Sequence, residues 1–253
     1  MRNNCISFWF PILRNSGVSV PKTVIIDMDK VDKNFVKGKK SAIYGNELKQ
    51  EHIDSFFKFK IILEKMANKI KYPLFLRTGY TSKKEDWIDS CYVSSKSKLM
   101  KNAQNIAEFS MRANYKAGIP INVWAVREII PTKPVFTAFN QMPIVTEMRY
   151  FFNNGKIVCY HPIWFKESFS FFKKSPYKVP DIDEKLKKLY VIRNIEYDKL
   201  KVLTEKVAKC FKGYWSLDWL RSRSGTWYAI DMAKGEDSYH YPDCKLKIDN
   251  EKN

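Results

Sequence analysis

The sequence lacks a close pair of cysteines. Its five cysteines, Cys5, Cys91, Cys159, Cys210 and Cys244, are spread over 253 residues. This odd, widely spaced set indicates neither a disulfide framework nor a zinc site with the usual short ligand spacings. A reducing cytoplasm is the location that such cysteine usage favours.

Long apolar runs and low-complexity tracts are also missing. The apolar stretch from Ile6 to Leu13 is interrupted by Pro11, is too short for a membrane span and has no convincing signal-peptide cleavage region. Apolar residues make up 45% of the chain and aromatic residues 15%, which is enough to bury a substantial core. We therefore expect a soluble protein that is folded throughout and does not enter a membrane.

Acidic residues are in the minority. The chain has 45 lysine and arginine residues against 27 aspartate and glutamate residues, which gives a net charge of +18. Such a charge attracts polyanions, so nucleotides, nucleic acid and acidic protein surfaces are candidate partners. A lysine-rich solvated surface explains the same numbers equally well, because the basic residues are spread along the chain.

The first 130 residues alternate between helical and extended patterns. Pro73 separates the longest helical stretch from the strands that follow it, because the residue before proline favours extended geometry. The predicted elements are a short strand ending at Asp27, a helix from Asn46 as its N-cap to about Ile70, strands at 74–77, 87–93 and 122–130, and a helix at 98–115.

The residues beyond 130 contain two hairpin patterns separated by a helical pattern. Asn154 and Gly155 join the first pair of strands, since Asn-Gly is a strong hairpin signal. The polar tail from Tyr241 is expected to fray. The predicted elements are strands at 144–152 and 156–163, a helix at 183–212 with a candidate break near Asn194, and strands at 214–220 and 226–233.

The final hairpin brings two aspartates together. A two-residue turn at Ser224 and Gly225 would place Asp218 directly opposite Asp231, where two carboxylates should repel each other. A bound divalent cation removes that penalty, since Mg²⁺ takes carboxylate and phosphate oxygens together. A one-residue change of register, or two aspartates facing water, would leave no metal site.

Glu147 and Arg149 share one face of the strand that enters the first hairpin, whereas Met148 lies on the other face. A buried arginine beside a carboxylate is held ready to receive a phosphate. Ordinary cross-strand ion pairing explains the same two residues. His161 is expected opposite Met148 on the apolar face, as a structural histidine.

The loop RTGYTSKKEDW, residues 77–87, contains the components of a phosphate-covering loop. Gly79 gives it backbone freedom. It is not a Walker loop, because the second glycine and the Gly-Lys-Ser/Thr ending are absent, and protein-kinase motifs are missing too. Any exposed basic turn has a similar composition. Its hydroxyl and cationic side chains are Arg77, Thr78, Thr81, Ser82, Lys83 and Lys84.

Taken in order, these segments resemble the ATP-grasp superfamily along nearly the whole chain. VPKTVIID is similar to the strand ahead of the nucleotide-binding lobes, and PLFLRTGYTS to the first phosphate-contacting strand and loop. VWAVREII resembles the strand that links the lobes, TEMRYFF the Glu-x-Arg strand, and LDWL and YAIDMAKGEDS the two metal-binding strands. Arg77 stands where most members have lysine, a replacement shared with a clade of ATP-grasp proteins that use arginine there.

The resemblance implies an α+β fold in which two lobes with antiparallel sheets sandwich ATP. It divides the chain into a small N-terminal α/β region (residues 1–72), a first ATP-grasp lobe (73–130) and a second lobe (131–253). It also implies Mg²⁺ as the metal that accompanies ATP.

The same resemblance implies a role for each matching residue. Asp218 and Asp231 are the expected Mg²⁺ ligands, and Lys84 and Arg149 the expected catalytic residues. The expected ATP contacts are Arg77, Thr81, Ser82, Lys83 and Lys84 on the phosphates, Glu128 and the backbone of Ile129 and Ile130 at the adenine and ribose side, and Glu147 and Arg149 near the terminal phosphate.

One position departs from the family pattern. The third metal ligand, commonly an asparagine two residues after the last acid, is Ala233 here, which cannot coordinate an ion. Asp237 or water would have to replace it, or one of two magnesium ions would be held weakly. This departure bears on catalysis more than on ATP binding.

Three hypotheses for function follow. The leading one is an ATP-dependent ligase: a carboxylate attacks the γ-phosphate, an amine or other nucleophile captures the acyl phosphate, and ADP and phosphate leave. The second is an ATP-binding assembly chaperone or adaptor without turnover. It rests on Ala233 and on the segments P-x-x-x-R-x-x-Y-x-S-x-K-x-D-W, E-x-R-x-F and the closing I-D, which bear a particular likeness to the eukaryotic cell-division-cycle ATP-grasp chaperones that help assemble translation initiation factor two.

The third hypothesis is an enzyme that acts on nucleic acid. It rests on the net charge of +18 and on tryptophans such as Trp87, Trp124 and Trp215 that could stack on bases. Most of these tryptophans fit a core position better. A covalent nucleotidyltransferase is not indicated, because no Lys-x-Asp-Gly motif is present.

Overall fold

The computed structural model describes residues 2–112, 119–169, 179–241 and 244. Within them the α-helices are α1 (Ile6–Asn15), α2 (Asn34–Tyr44), α3 (Gln50–Ile70), α4 (Lys96–Arg112), α5 (Ile182–Leu189) and α6 (Asn194–Ala208). The strands are β1 (Thr23–Asp27), β2 (Leu74–Thr78), β3 (Tyr92–Val93), β4 (Val123–Glu128), β5 (Phe136–Ala138), β6 (Met142–Ile144), β7 (Glu147–Asn153), β8 (Lys156–Pro162), β9 (Tyr214–Arg221) and β10 (Trp227–Lys234). The predicted α+β class is confirmed.

The first sheet has the strand order β1-β4-β2-β3, and all its neighbouring strands are antiparallel. Strand β4 is apolar along most of its length because each of its faces meets a different core. Trp124 and Val126 pack into a cluster with α3 and α4, whereas Val123 and Ala125 join a core that reaches the second sheet.

Helix α3 follows from the spacing of its apolar residues. Phe59, Leu63, Met66 and Ile70 recur every three or four positions and are buried against the first sheet. The predicted end of this helix at Ile70 is confirmed. Its predicted N-cap at Asn46 is wrong, since the helix begins four residues later, at Gln50.

The second sheet has the order β10-β9-β7-β8 and is antiparallel throughout. Met148, Tyr150 and Phe152 alternate along β7 and enter the same core as residues of α1 and α6. The predicted division of β7 into two faces is thereby confirmed, since Glu147 and Arg149 point to the opposite side. Strands β5 and β6 form a separate two-stranded ribbon.

Several element boundaries differ from the predictions. The strand predicted at 87–93 is reduced to β3, because a 3₁₀ helix occupies Lys84–Asp89. The long helix predicted at 183–212 is broken as proposed, into α5 and α6, with α6 beginning at Asn194. The predicted end of α4 and most of the polar tail lie outside the described residues. The three-part division at residues 72 and 130 stays a prediction.

Two β-bulges set the register of the second sheet. The loop between β9 and β10 is longer than the predicted two-residue turn, since Arg221 pairs with Trp227. The pairing then shifts between Ala229 and Asp231, and this extra residue offsets the longer loop, so Asp218 still pairs with Asp231. In β8 the pairing with β7 shifts in the same way. His161 therefore lies opposite Arg149, and the prediction that it faces Met148 is wrong.

Among the described residues, the helices are too short or too polar to cross a bilayer. All five cysteines lie in the described part of the chain, and none of them forms a disulfide.

Candidate functional site

A cavity of about 360 Å³ is lined by residues of both four-stranded sheets. Its walls come from the end of β2 and the loop after it, the end of β4, and the inner faces of β7, β9 and β10. The residues assigned to the site from the sequence all line this cavity: Arg77, Thr81, Ser82, Lys83, Lys84, Glu128, Ile129, Ile130, Glu147, Arg149, Asp218 and Asp231.

An ion pair between Arg77 and Asp231 joins the two sheets across the cavity. Nη1 of Arg77 donates to Oδ1 of Asp231 at 2.9 Å, and the arginine side chain is 6% exposed whereas the aspartate side chain is 43% exposed. Burial favours the protonated acid, but the charge and hydrogen bond of Arg77 outweigh it and lower the pKa of Asp231. The carboxylate of Asp231 is therefore accessible from the cavity and ionised at neutral pH.

A second pair, Arg149 and Asp218, lies within the second sheet. The residues are direct partners in the β7–β9 ladder, and the contact is bidentate, with Nε to Oδ1 at 2.7 Å and Nη2 to Oδ2 at 2.8 Å. Nη1 of Arg149 also donates to the carbonyl of Tyr239 at 3.3 Å. Burial opposes the charge on Arg149, but Asp218 more than compensates and raises the pKa of the arginine.

Arg127 belongs to the cavity but was missed by the sequence reasoning. It lies on β4, is 4% exposed, and donates from Nη1 to the carbonyl of Ile230 at 2.6 Å. Among the described residues, its buried Nη2 has no hydrogen-bond partner. Burial and the neighbouring charge of Arg77 lower its pKa to about 9, so it remains a cation at neutral pH. The sequence signal that could have identified Arg127 is a single cation directly after the apolar residues 123–126.

Glu147 begins β7 and is almost fully buried, with 4% of its surface exposed. Burial raises its pKa to about 7, the nearby charge of Lys84 works against this shift, and Asp218 adds to it. The ammonium group of Lys84 lies 4.9 Å from the centre of the Trp164 ring. Glu147 thus exchanges its proton near neutral pH, beside a lysine and an aspartate of the same cavity.

The loop after β2 is held in a tight turn by Thr78. Its Oγ1 accepts from the backbone N–H of Thr81 at 3.1 Å, and its own N–H donates to the carbonyl of Thr81 at 2.9 Å. At Gly79 a Cβ would lie 2.5 Å from Sγ of Cys5 and 3.0 Å from Cβ of Val123, so this close approach requires glycine.

The two lysines of the loop differ in their partners. Lys83 forms an ion pair with Asp86 at 2.9 Å, and its ammonium lies near the ring of Phe109. Lys84 makes the Trp164 contact already described and is close enough to Glu147 and Asp231 to shift the pKa of both. Lys84 is therefore the loop lysine directed toward the acidic side of the cavity.

The opposite end of the cavity is formed by the end of β4. Oε1 of Glu128 accepts from the backbone N–H of Lys22 at 2.6 Å, which fixes the carboxylate. Ile129 and Ile130 follow directly. The apolar side chains of the cavity lining include Phe75, Trp87, Met142, Leu220 and Ile230.

The acidic corner fits a divalent cation. Asp218 and Asp231 face each other in register, and Glu147 is close enough to Asp218 for the two charges to interact. Asp237, the suggested substitute for the ligand missing at Ala233, instead accepts a hydrogen bond from Asn4 at 2.7 Å and does not line the cavity in the described part of the chain. Glu147 lines the same cavity, but among the described residues its carboxylate does not form a compact group of three with Asp218 and Asp231.

Comparison with known proteins shows the fold. No protein-family model matches the sequence, and no match was found among curated proteins. Among solved structures, C-terminally truncated Cdc123 from Schizosaccharomyces pombe is similar at a TM-score of 0.54, with 13% identity over 92% of this chain and 84% of that chain.

Two synthetases also have similar structures. The ADP complex of PurK, an N5-carboxyaminoimidazole ribonucleotide synthetase, has a TM-score of 0.51 and 9% identity over 96% of this chain and 49% of that chain. The N5-carboxyaminoimidazole synthase of Aspergillus clavatus, in complex with ADP and 5-aminoimidazole ribonucleotide, has a TM-score of 0.50 and 9% identity over 91% and 44%. The chain spans about half the length of these two proteins. It has the ATP-grasp fold expected from its motifs.

Proposed function

We propose that this chain binds Mg-ATP in the cavity between its two sheets and uses it as an ATP-dependent ligase. The observation that carries the proposal is the convergence of residues from five separate sequence segments on one cavity, with cations from the first sheet facing carboxylates from the second. No single segment would identify a nucleotide site by itself. The two synthetase structures described above contain ADP, which supports a nucleotide in this fold.

The balance of charge in the cavity favours a metal–nucleotide complex over a bare polyanion. Five basic and five acidic side chains line it, so the repulsion that a bare polyanion meets largely offsets the attraction. A magnesium triphosphate presents anionic oxygens to the arginines and a cation to the acids. The basic residues are Arg77, Lys83, Lys84, Arg127 and Arg149, and the acidic ones are Glu85, Glu128, Glu147, Asp218 and Asp231.

Magnesium would be held by Asp218 and Asp231, with phosphate oxygens and water as its further ligands. When bound, the ion would neutralise the negative charge that collects on the phosphate oxygens during transfer. Asp231 can accept this role because 43% of its side chain is exposed to the cavity. Asp218 can share its oxygens between a cation and Arg149, as ligating carboxylates often do with a neighbouring donor.

The basic residues would bind and orient the triphosphate. Arg127 has an unused, buried N–H group, which gains a partner when a phosphate oxygen enters. Arg149 is held by Asp218 in a fixed orientation, so its charge is available without reorganisation. Ile129, Ile130 and the apolar end of the cavity would receive the base, and Glu128 the ribose.

In the proposed reaction, a substrate carboxylate attacks the γ-phosphate and forms an acyl phosphate with release of ADP. An amine or another nucleophile then displaces phosphate from the acyl group. Arg149 and Lys84 would stabilise the charge on the phosphoryl group as it moves. The proposal defines the two substrates by chemical class: the acyl donor is a carboxylate, and the nucleophile is an amine or a similar group.

A second candidate function is ATP binding without turnover, as in an assembly chaperone or adaptor. Two observations favour it. Ala233 removes a usual metal ligand, and Arg77 and Arg149 already compensate the two aspartates. A protein with this arrangement could hold ATP as a structural ligand.

Calorimetry and product analysis distinguish these functions. Mg-ATP should bind the full chain, and binding should weaken strongly when EDTA removes magnesium. Turnover to ADP and phosphate with pools of carboxylates and amines supports the ligase, whereas tight binding without turnover supports the adaptor. Failure to bind Mg-ATP would contradict both, and release of AMP with pyrophosphate would contradict the ligase chemistry.

A further inference from the structure

Two cysteines and a histidine meet at the outer edge of the second sheet, outside the nucleotide cavity. The ligand atoms of Cys159, His240 and Cys244 all lie within 4.8 Å of one another. The chain has only five cysteines and three histidines in total, so three of its eight strongest metal-binding side chains converge on one point. We propose that this cluster binds a zinc ion.

Strand pairing explains how Cys159 reaches this position. It lies opposite Phe151 in the β7–β8 ladder, beyond the bulge in β8, and is 1% exposed. The bulge turns Cys159 and His161 toward the side of the sheet that carries Arg149, and the chain after β10 returns over the same side. That returning segment supplies His240 and Cys244, four residues apart.

The imidazole of His240 is oriented as a zinc ligand would be. Its Nδ1 is 3.0 Å from the carbonyl oxygen of Tyr241, and donating a proton there leaves Nε2 as the coordinating atom. Nε2 lies 2.7 Å from Sγ of Cys159. The His240 ring also stacks on Phe151, with ring centres 4.6 Å apart, which limits its rotation.

The distances require only small side-chain rotations for coordination. With Zn–S bonds of about 2.3 Å and Zn–N bonds of about 2.0 Å, tetrahedral ligand atoms lie roughly 3.5–3.8 Å apart. The S–N contact of 2.7 Å would lengthen, and the widest separation of 4.8 Å would shorten. Three protein ligands leave the fourth position to water.

Soft thiolates with an imidazole favour zinc over the hard ion expected in the nucleotide cavity. Two thiolates neutralise the charge of Zn²⁺, so the complex can occupy an apolar setting. The surroundings provide one, since Cys159 and Cys244 pack with Phe151, Val158 and Tyr214. Magnesium, which prefers oxygen ligands, would not compete here.

A zinc ion at this cluster would fasten the segment that reaches the nucleotide cavity. Tyr239 precedes His240, and its carbonyl accepts a hydrogen bond from Nη1 of Arg149. Zinc would thus fix Tyr239 relative to β8. This positioning of Tyr239 is independent of whether the cavity binds ATP.

The first test is the metal content of the full chain, purified under reducing conditions, supplied with zinc chloride and dialysed. Mass spectrometry of the metal should find about one zinc per chain, as expected for a structural site. Replacement by cobalt should produce a sulfur-to-cobalt charge-transfer band. Absence of retained zinc, or a cobalt spectrum without that band, would overturn the proposal, and neither result depends on a variant folding.

Variants then locate the ion. Cys244→Ser and His240→Gln should each lose most of the zinc. Cys210→Ser, which changes an exposed cysteine, and Asp231→Asn, which changes the nucleotide cavity, should retain it. Equal retention in all four proteins would overturn the assignment. If the reduced chain rejects zinc and atmospheric oxygen then oxidises the Cys159 and Cys244 thiols to a disulfide, the zinc proposal is overturned and the two cysteines are a redox pair.

Discussion

Asp218 lies directly opposite Asp231 in the β9–β10 ladder, yet the two carboxylates are bonded to different arginines. Arg149 holds Asp218 from the neighbouring strand, whereas Arg77 reaches Asp231 from the other sheet. The repulsion expected between facing aspartates is therefore compensated from two directions. Because the Arg77–Asp231 pair connects the sheets, a ligand entering between them must engage or displace it.

The first prediction concerns Asp231. Replacing it by asparagine keeps the shape but removes the exposed carboxylate, so the affinity for Mg-ATP should fall by at least about tenfold, or ~1.4 kcal/mol. Binding measured in EDTA should change much less. Calorimetry with and without magnesium checks this. Asp237→Asn is the matched control, since Asp237 bonds Asn4 outside the cavity; equal affinities in the two variants would refute the metal assignment.

A second prediction concerns Arg127. Arg127→Met removes a buried cation with an unused N–H group, and Mg-ATP should bind roughly 10- to 100-fold more weakly. The free protein should also lose about 1–3 kcal/mol of stability, because the carbonyl of Ile230 loses its donor. Calorimetry and urea unfolding measure the two effects.

Arg223→Met serves as the control for Arg127, because Arg223 is exposed and does not line the described cavity. Arg127→Lys should recover part of the affinity, since it restores the charge without the forked donor. An unchanged affinity in folded Arg127→Met would show that this arginine is structural only.

The third prediction is a pH dependence caused by Glu147. Burial raises the pKa of Glu147 to about 7 from 4.5, so the folded chain holds a proton that the unfolded chain has released between those values. Raising the pH through this window therefore lowers the free energy of unfolding. The full stabilisation is present below about pH 4.5 and is lost as the pH passes 7.

Glu147→Gln should remove this dependence. Relative to the parent protein, the variant should gain stability as the pH rises from about 5 to 8, by at most roughly 3 kcal/mol. Urea unfolding of both proteins in EDTA, at several pH values, gives the difference. Parallel stability curves would mean that Glu147 ionises normally in the folded state.

The fourth prediction tests the close approach at Gly79. Gly79→Ala places a methyl group against Sγ of Cys5, and overpacking of this kind costs about 1–3 kcal/mol. Adding Cys5→Ala removes the sulfur and should recover part of the loss. A double-mutant cycle measures the coupling. Additive effects of the two substitutions would show that the loop relieves the contact by moving.

Motif order and strand periodicity predicted most of the architecture from the sequence. The faces of β7, the break before α6 and the pairing of Asp218 with Asp231 depend on local patterns, and these predictions are confirmed. The 3₁₀ helix at Lys84–Asp89 was missed because Trp87 and Ile88, an aromatic and a β-branched residue, resemble the start of a strand. Periodicity cannot separate such a short turn from an extended segment.

The candidate site was predicted less completely than the fold. Arg127 was missed because a single arginine near a strand end also suits a solvent-exposed position, and only the packing of β4 between two cores shows that it is buried. The cluster of Cys159, His240 and Cys244 was missed because 81 residues separate Cys159 from His240. Spacing rules for cysteine detect ligands that are close in sequence, not those joined by a sheet.

The extra residues inside β8 and β10 affect how relatives of this chain should be sought. Each shifts the residues that follow by one position along its partner strand. An ungapped comparison that matches the turn between β7 and β8 would therefore misalign His161 by one residue. Profiles that permit a single-residue gap within each of these strands should recover distant homologues that rigid patterns discard.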